Sequence, residues 1–243
     1  MVNSTLRKWS DLIDSPTKIV IPEPLVTPAR LEVLGTFQLE RDGQTLKYRG
    51  HRRSELLAYL LEARIAGRNE VSWLDLIETF YPNQLQADAK RTLRQQVYLI
   101  RSDLGKDCIL STSNGYALGA VSSDAEDFLL TNEPELWRGL YLEHLSDGWF
   151  SGVRDALTLA LRSTVERLIQ TNTFEAARLG RILLELEPYD LEILRLCVLA
   201  LSSSGEKRAA SSLFRESRAQ LLALGENLPE TLEVFLSAPV LLD

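Results

Sequence analysis

The stretch Asp88 to Leu104, DAKRTLRQQVYLIRSDL, decides how the rest of the chain is read. Taken as a helix at about 100° per residue, it places Leu93, Val97, Ile100 and Leu104 on one narrow stripe. Arg91, Gln95, Tyr98 and Ser102 fall opposite, with Arg94 beside them. One face suits a core. The other carries Arg, Gln and Tyr, side chains that suit a nucleic-acid groove. A polar face alone describes most surface helices, so the reading depends on what flanks this one.

A short helix is expected immediately before it, over residues 72–80, SWLDLIETF. Ser72 is a candidate N-cap, with Asp75 at capping-box spacing, and Tyr81-Pro82-Asn83 ends the helix. Gly105 closes the long helix. The following CILSTSNGYALG reads as a hairpin: a strand at 108–112, a turn at Ser113-Asn114-Gly115 and a strand at 116–118. Upstream, residues 31–50 read as a strand, a turn at Arg41-Asp42-Gly43 and a second strand, with Gly35 marking a bulge or bend. Residues 52–66 form an apolar helix that Gly67 closes. The order is strand pair, three helices, hairpin. A short helix joined to a longer one and followed by a hairpin is a winged helix-turn-helix. Its second helix enters the major groove, and its hairpin wing touches backbone or minor groove.

The 243 residues suffice for two modest domains. Hydrophobic content of 45% and charged content of 25% are those of a globular protein in water. No apolar run approaches the ~18 residues of a membrane span, and the first residues lack the apolar core of a secretory signal. Cys108 and Cys197 lie far apart without a CxxC neighbour, so neither a metal site nor a disulfide framework is expected. The cytoplasm is the expected compartment. His51 and His144 are isolated, and no nucleophile, zinc or phosphate-loop motif occurs, so neither an enzyme nor a cofactor is expected.

Charge divides unevenly. Residues 30–118 carry 13 Lys+Arg against 11 Asp+Glu, a net of +2; residues 119–243 carry 11 against 20, a net of -9. The whole chain is at -7. The first part is slightly basic, a weak nucleic-acid footprint, and the second is strongly acidic.

The candidate contacts follow. Lys90, Arg91, Arg94, Gln95 and Tyr98 are candidates for bases or groove, since Arg forks onto guanine and Gln onto adenine. Arg52 and Arg53 open the 52–66 helix, where cations oppose the macrodipole. An external phosphate would explain them; so would pairing with Glu55 or acids elsewhere. Thr112, Ser113 and Asn114 at the wing tip are candidates for backbone contact, or a plain solvent turn. Arg101 sits nearer the core face and reads as a structural or phosphate residue. Asp88 and Asp75 would repel phosphates locally, which sharpens register at some cost in affinity. Cys108 reads as a small buried apolar residue.

Residues 31–118 resemble the OmpR-type winged-helix domain, in the version found in the Streptomyces antibiotic regulatory protein (SARP) family. The matching residues are Leu34-Gly35-x-Phe37, Arg53-x-x-Leu56-Leu57-Ala58-Tyr59-Leu60-Leu61 and Val71-Ser72. Phe80-Tyr81-Pro82-Asn83, Leu93-Arg94-Gln95, Leu99-x-Arg101-x-x-Leu104-Gly105 and Gly115-Tyr116-x-Leu118 follow in order. Phe80-Tyr81-Pro82 departs from the family's usual Leu-Trp-Pro but keeps the aromatic and the proline. Residues 119–150 read as a connector, in which Gly139-Leu140-Tyr141 to Trp149 resembles the family's entry into its second domain, without the usual glycine after Tyr141.

Residues 151–237 read as helical throughout. Helices are expected near 151–171, 173–186, 190–204, 206–224 and 229–237, with breaks at Asn172, Pro188-Tyr189-Asp190, Gly205, Gly225 and Pro229. Two helix pairs have about tetratricopeptide length. Phe174, Ala176, Ala177 and Pro188 match one repeat's second half; Leu194, Ala200, Gly205, Ala209, Ala210 and Phe214 match the next. The Leu186, Pro188, Asp190 and Glu192 run, with the later Leu224-Gly225, Pro229 and Thr231, resembles the bacterial transcriptional activator domain of the same family.

The expected fold is therefore mainly α: an N-terminal arm or linker at 1–29, a winged helix-turn-helix domain with small β-hairpins at 30–120, and a tetratricopeptide-like helical domain at 121–243. The resemblance implies a transcription regulator, an activator that binds promoter direct repeats in double-stranded DNA as two protomers and contacts RNA polymerase holoenzyme. The alternative is a helical-repeat interaction module or adaptor whose winged helix binds protein; the +2 charge is its best support.

Overall fold

The computed structural model describes residues 28–46, 51–145 and 148–237. The expected arm, with its helical spacing of Leu6, Trp9, Leu12 and Ile13, lies outside the described residues, as do positions 47–50 at the end of the expected second strand.

In chain order, the first part holds β1 (Ala29–Glu32), β2 (Gln38–Arg41), β3 (Gln44–Leu46), α1 (Arg52–Ile65), β4 (Val71–Ser72), α2 (Trp73–Phe80) and α3 (Gln86–Leu104). A 3-10 turn, Lys106–Cys108, leads to β5 (Ile109–Ser111), β6 (Gly115–Leu118) and β7 (Val121–Ser123). Then come α4 (Asp124–Thr131), a 3-10 turn (Pro134–Leu136), α5 (Ser151–Thr171), α6 (Thr173–Leu186), α7 (Leu191–Ser203), α8 (Lys207–Ala223) and α9 (Leu232–Ser237). No helix among the described residues is long and apolar enough to cross a membrane.

The first sheet has the order β3-β2-β1-β7. Two strands were expected over 31–50, and three are present. Gly35, at φ 145°, turns the chain out of β1 before β2 begins. The β2–β3 hairpin turns through Asp42 (φ 52°) and Gly43 (φ 74°), the pair of left-handed residues that a two-residue turn requires. On the other edge, β1 pairs in parallel with β7, Leu31 facing Ser123. This strand lies past residue 120, so the sheet crosses the boundary expected there.

The segment 119–150, expected as a connector, contains β7, α4 and the second 3-10 turn. Ser123 caps α4 by accepting from the Glu126 N–H at 3.2 Å. Asp124 is fully buried and accepts from the backbone N–H of Val33 (2.8 Å) and Leu34 (3.1 Å) and from Arg138 (2.6 Å). It thereby satisfies the donors that the chain exposes as it leaves β1.

Helix α1 is the hub. Leu56 to Ala63 are buried on every side, which explains why its apolar pattern runs round the helix rather than along one stripe. Glu62 is the buried exception. Its carboxylate, at 0% exposure, accepts from Tyr141 Oη (2.8 Å), Trp149 N (2.6 Å) and Phe150 N (3.3 Å). Beside it, Tyr59, Phe80, Trp149 and Phe150 meet edge to face. The start of the helical part is thus fastened to α1 through an acceptor and an aromatic cluster.

In the helical part, α5 packs on α6, α6 on α7 and α7 on α8. A Cβ at Gly180 would sit 3.3 Å from Cys197 Cα, so α6 and α7 approach with almost no side chain between them. Ala176, Ala177, Ala200, Ala210 and Phe214 are buried. Phe174 is not: it is 70% exposed. Asn172 and Asp190 cap α6 and α7 through their side chains, as the break residues promised.

Candidate nucleic-acid interface

Helix α2 begins where it was expected. Ser72 Oγ accepts from Asp75 N at 3.0 Å. Helix α3 begins at Gln86, two residues before the amphipathic stretch, because Leu85 already supplies the carbonyl that accepts from the Ala89 N–H (2.9 Å). Ala89, Leu93, Val97, Ile100 and Leu104 are buried. That places the opposite stripe outward: the Arg91 side chain is 81% exposed, Tyr98 is 70% exposed, and Arg94 and Gln95 are exposed.

The wing stands against the flank of this helix. Its sheet has the order β4-β6-β5, with β4 added to the expected hairpin. The first wing strand is Ile109–Ser111, shorter than the 108–112 expected, because Cys108 belongs to the 3-10 turn and lies buried. At the tip, Thr112 Oγ1 accepts from Gly115 N (2.8 Å), and Asn114 O accepts from Trp73 N (3.0 Å). Gly115 is required for close approach: a Cβ there would lie 1.8 Å from Val71 O.

Between α3 and the wing runs an open groove of about 280 Å³. Lys90, Arg94, Thr112, Ser113 and Asn114 all line it, so the structure brings these predicted residues together. Arg91, Gln95 and Tyr98 do not line it; they lie on the outward stripe of the same helix. The predicted set therefore divides into a wing-side flank and an outward face.

Trp73 also lines the groove and was not anticipated from the sequence. The Lys90 ammonium sits over its ring, 3.7 Å from the centroid. Trp73 is the first residue of α2, and its place after the Ser72 cap and beside the turn was the available signal. The Lys90–Trp73 contact is a cation–π interaction, and it leans the amine toward the wing.

Three of the expected phosphate contacts have partners within the protein. Arg52 pairs with Glu55 (3.1 Å) and stacks over Phe80 and Tyr81, each 5.5 Å from the centroid. Arg53 pairs with Asp103 at the end of α3 (3.1 Å). These are the DNA-free partners that their helix-start position allowed. Arg101 donates from Nε to Ile109 O (2.9 Å) and from Nη2 to Ser111 Oγ (2.8 Å), which ties α3 to the wing. Of the two roles expected for it, these bonds supply the structural one. Thr112 Oγ1 accepts within the turn, a bond that does not use its O–H. Burial raises the Cys108 thiol above its usual range, with Arg101 pulling the other way; it is packed, not poised for reaction. Asp88, expected to repel phosphate, also pairs with Arg91 at 2.9 Å.

No protein-family model matches this chain, and no curated protein matches it. Among solved structures, the chain is similar to Mycobacterium tuberculosis EmbR, solved in complex with a low affinity phosphopeptide. The identity is 18%, the match covers 86% of this chain, and the TM-score is 0.56. The chain spans 64% of the EmbR chain. The two share a fold: a mainly helical chain in which a winged helix with small sheets precedes a helical part.

Proposed function

We propose that this chain is a sequence-specific DNA-binding transcription regulator of the SARP type. The observation that carries the reading is the division of α3: an outward face of Arg91, Gln95 and Tyr98, and a flank where Lys90 and Arg94 share a groove with the wing tip. The outward face enters the major groove. The flank and wing follow the adjacent phosphates, with Ser113 and Asn114 exposed at the tip. The EmbR-like fold supports the arrangement of the two parts.

The acidic helical part does not bind the duplex. It has the tetratricopeptide-like build of a protein-contact surface, and it recruits RNA polymerase to promoters bearing direct repeats occupied by two protomers. The protein works in the cytoplasm, needs no cofactor and catalyses no reaction.

The test is a salt titration of DNA binding by the full chain, using genomic fragments. Affinity falls linearly on logarithmic axes, and Arg94→Ala reduces the slope by about 1, as loss of one phosphate contact requires. Absent or salt-independent binding would instead favour the second reading, a protein-interaction module. That reading draws on the net charge of only +2 over residues 30–118 and on the internal partners of Arg52, Arg53 and Arg101.

A further inference from the structure

We infer that Asp88 and Arg91 act together as a guanine-reading unit, in which Arg91 meets the major-groove edge of one G·C pair and Asp88 is the positioning residue that holds its guanidinium. The inference rests on the DNA-binding reading above and sharpens it to a base.

The pair stands off the protein. Arg91 Nη2 donates to Asp88 Oδ1 at 2.9 Å, with the side chains 81% and 53% exposed. It lies in the opening turns of α3, opposite Ala89, Leu93 and Val97, which are buried. Lys90 and Arg94 point along the wing-side groove instead, so Arg91 is the cation at the centre of the outward face. An exposed pair at i,i+3 adds little to stability, and a first-turn carboxylate favours the helix dipole without pairing to Arg91. The pairing itself fits recognition. A guanidinium carries five N–H donors in a fixed fork. Asp88 engages Nη2 and leaves donors for O6 and N7 of guanine, the bidentate pairing that distinguishes this base. Because Asp88 already restrains the long side chain, less rotamer freedom is lost on binding. Asp88 also repels phosphate, a penalty that a site without the guanine does not offset, so discrimination rises while general affinity falls.

The test uses the full chain and the duplex selected by the wild type from a random library. Each guanine is replaced in turn by 7-deazaguanine, which lacks the N7 acceptor, and by adenine. One position should cost wild type roughly 10- to 100-fold in Kd, and Arg91→Ala should lose nothing further there. Asp88→Ala should bind random duplex more tightly while its discrimination at that position falls several-fold; Asp88→Glu should recover most of it. Both side chains are exposed, and melting curves check that the variants fold. If Arg91→Ala weakens every duplex equally, or Asp88→Ala leaves discrimination intact, this assignment is overturned while DNA binding stands. If the wild type selects no duplex, the DNA-binding reading falls and the assignment with it.

Discussion

Replacing Glu62 with alanine should destabilise the whole chain, and the size of the effect can be worked from three of the groups that donate to it. Tyr141 Oη (2.8 Å) and Trp149 N (2.6 Å) bond closely, and Phe150 N (3.3 Å) more weakly. An abandoned buried donor costs about 1–3 kcal/mol, so the two close ones suggest about 2–6 kcal/mol. Removing the carboxylate also removes its own desolvation penalty, which offsets part of this. The expected net loss is about 3 kcal/mol, read as a lower urea midpoint at unchanged slope. Tyr141→Phe, which takes the hydroxyl donor from the buried Oε1 while Oε2 keeps its two backbone donors, should lose about 1–3 kcal/mol. The pH dependence carries a sign. Burial pushes the Glu62 carboxyl above its ordinary range, while Trp149 N, Tyr141 Oη and Phe150 N pull it back. A carboxyl raised on folding binds its proton more tightly in the native state. Its contribution is full below the unfolded value and is lost as pH rises through the folded one. The alanine deficit should therefore be larger near pH 4 than near pH 8. A loss under about 1 kcal/mol, or a deficit that grows with pH, would refute the reasoning.

Other outcomes follow from the interface. Gly115→Ala puts a Cβ 1.8 Å from Val71 O, a backbone atom that cannot swing away; the β4–β6 pairing should open, costing about 2–4 kcal/mol, with wing-tip amides losing protection in hydrogen exchange. Arg101→Ala should free the wing from α3 at a cost of about 1–2 kcal/mol and weaken DNA binding more than stability, measured by anisotropy beside melting. Trp73→Ala should remove the platform under Lys90 and weaken DNA binding several-fold, and Trp73→Phe should retain most of the affinity. Leu93→Ala, in the α3 core, should cost about 2–5 kcal/mol by urea unfolding.

The sequence by itself determined the elements whose cause is local. The 3.6-residue stripe of Leu93, Val97, Ile100 and Leu104 is a property of one helix, and all four are buried. The Asp42-Gly43 and Asn114-Gly115 turns, the Ser72 cap and the breaks at Asn172 and Asp190 are likewise set by residues within reach of each other along the chain. The helix-hairpin order that defines a winged helix followed from these. What the tertiary structure decided were the partners at long range. Strand β7 is three residues long, too short to show alternation, and exists because β1 offers it an edge. Nothing local marks Glu62 as a buried acceptor; Tyr141 and the 149–150 backbone come to it from about 80 residues away. Arg53 and Arg101 found Asp103 and the wing, partners that no local spacing announces. Periodicity told which face of α3 is free. Only the position of the wing told that Lys90 and Arg94 belong to its flank and Arg91, Gln95 and Tyr98 to its front, because a neighbouring strand leaves no trace in the spacing of the helix it shadows.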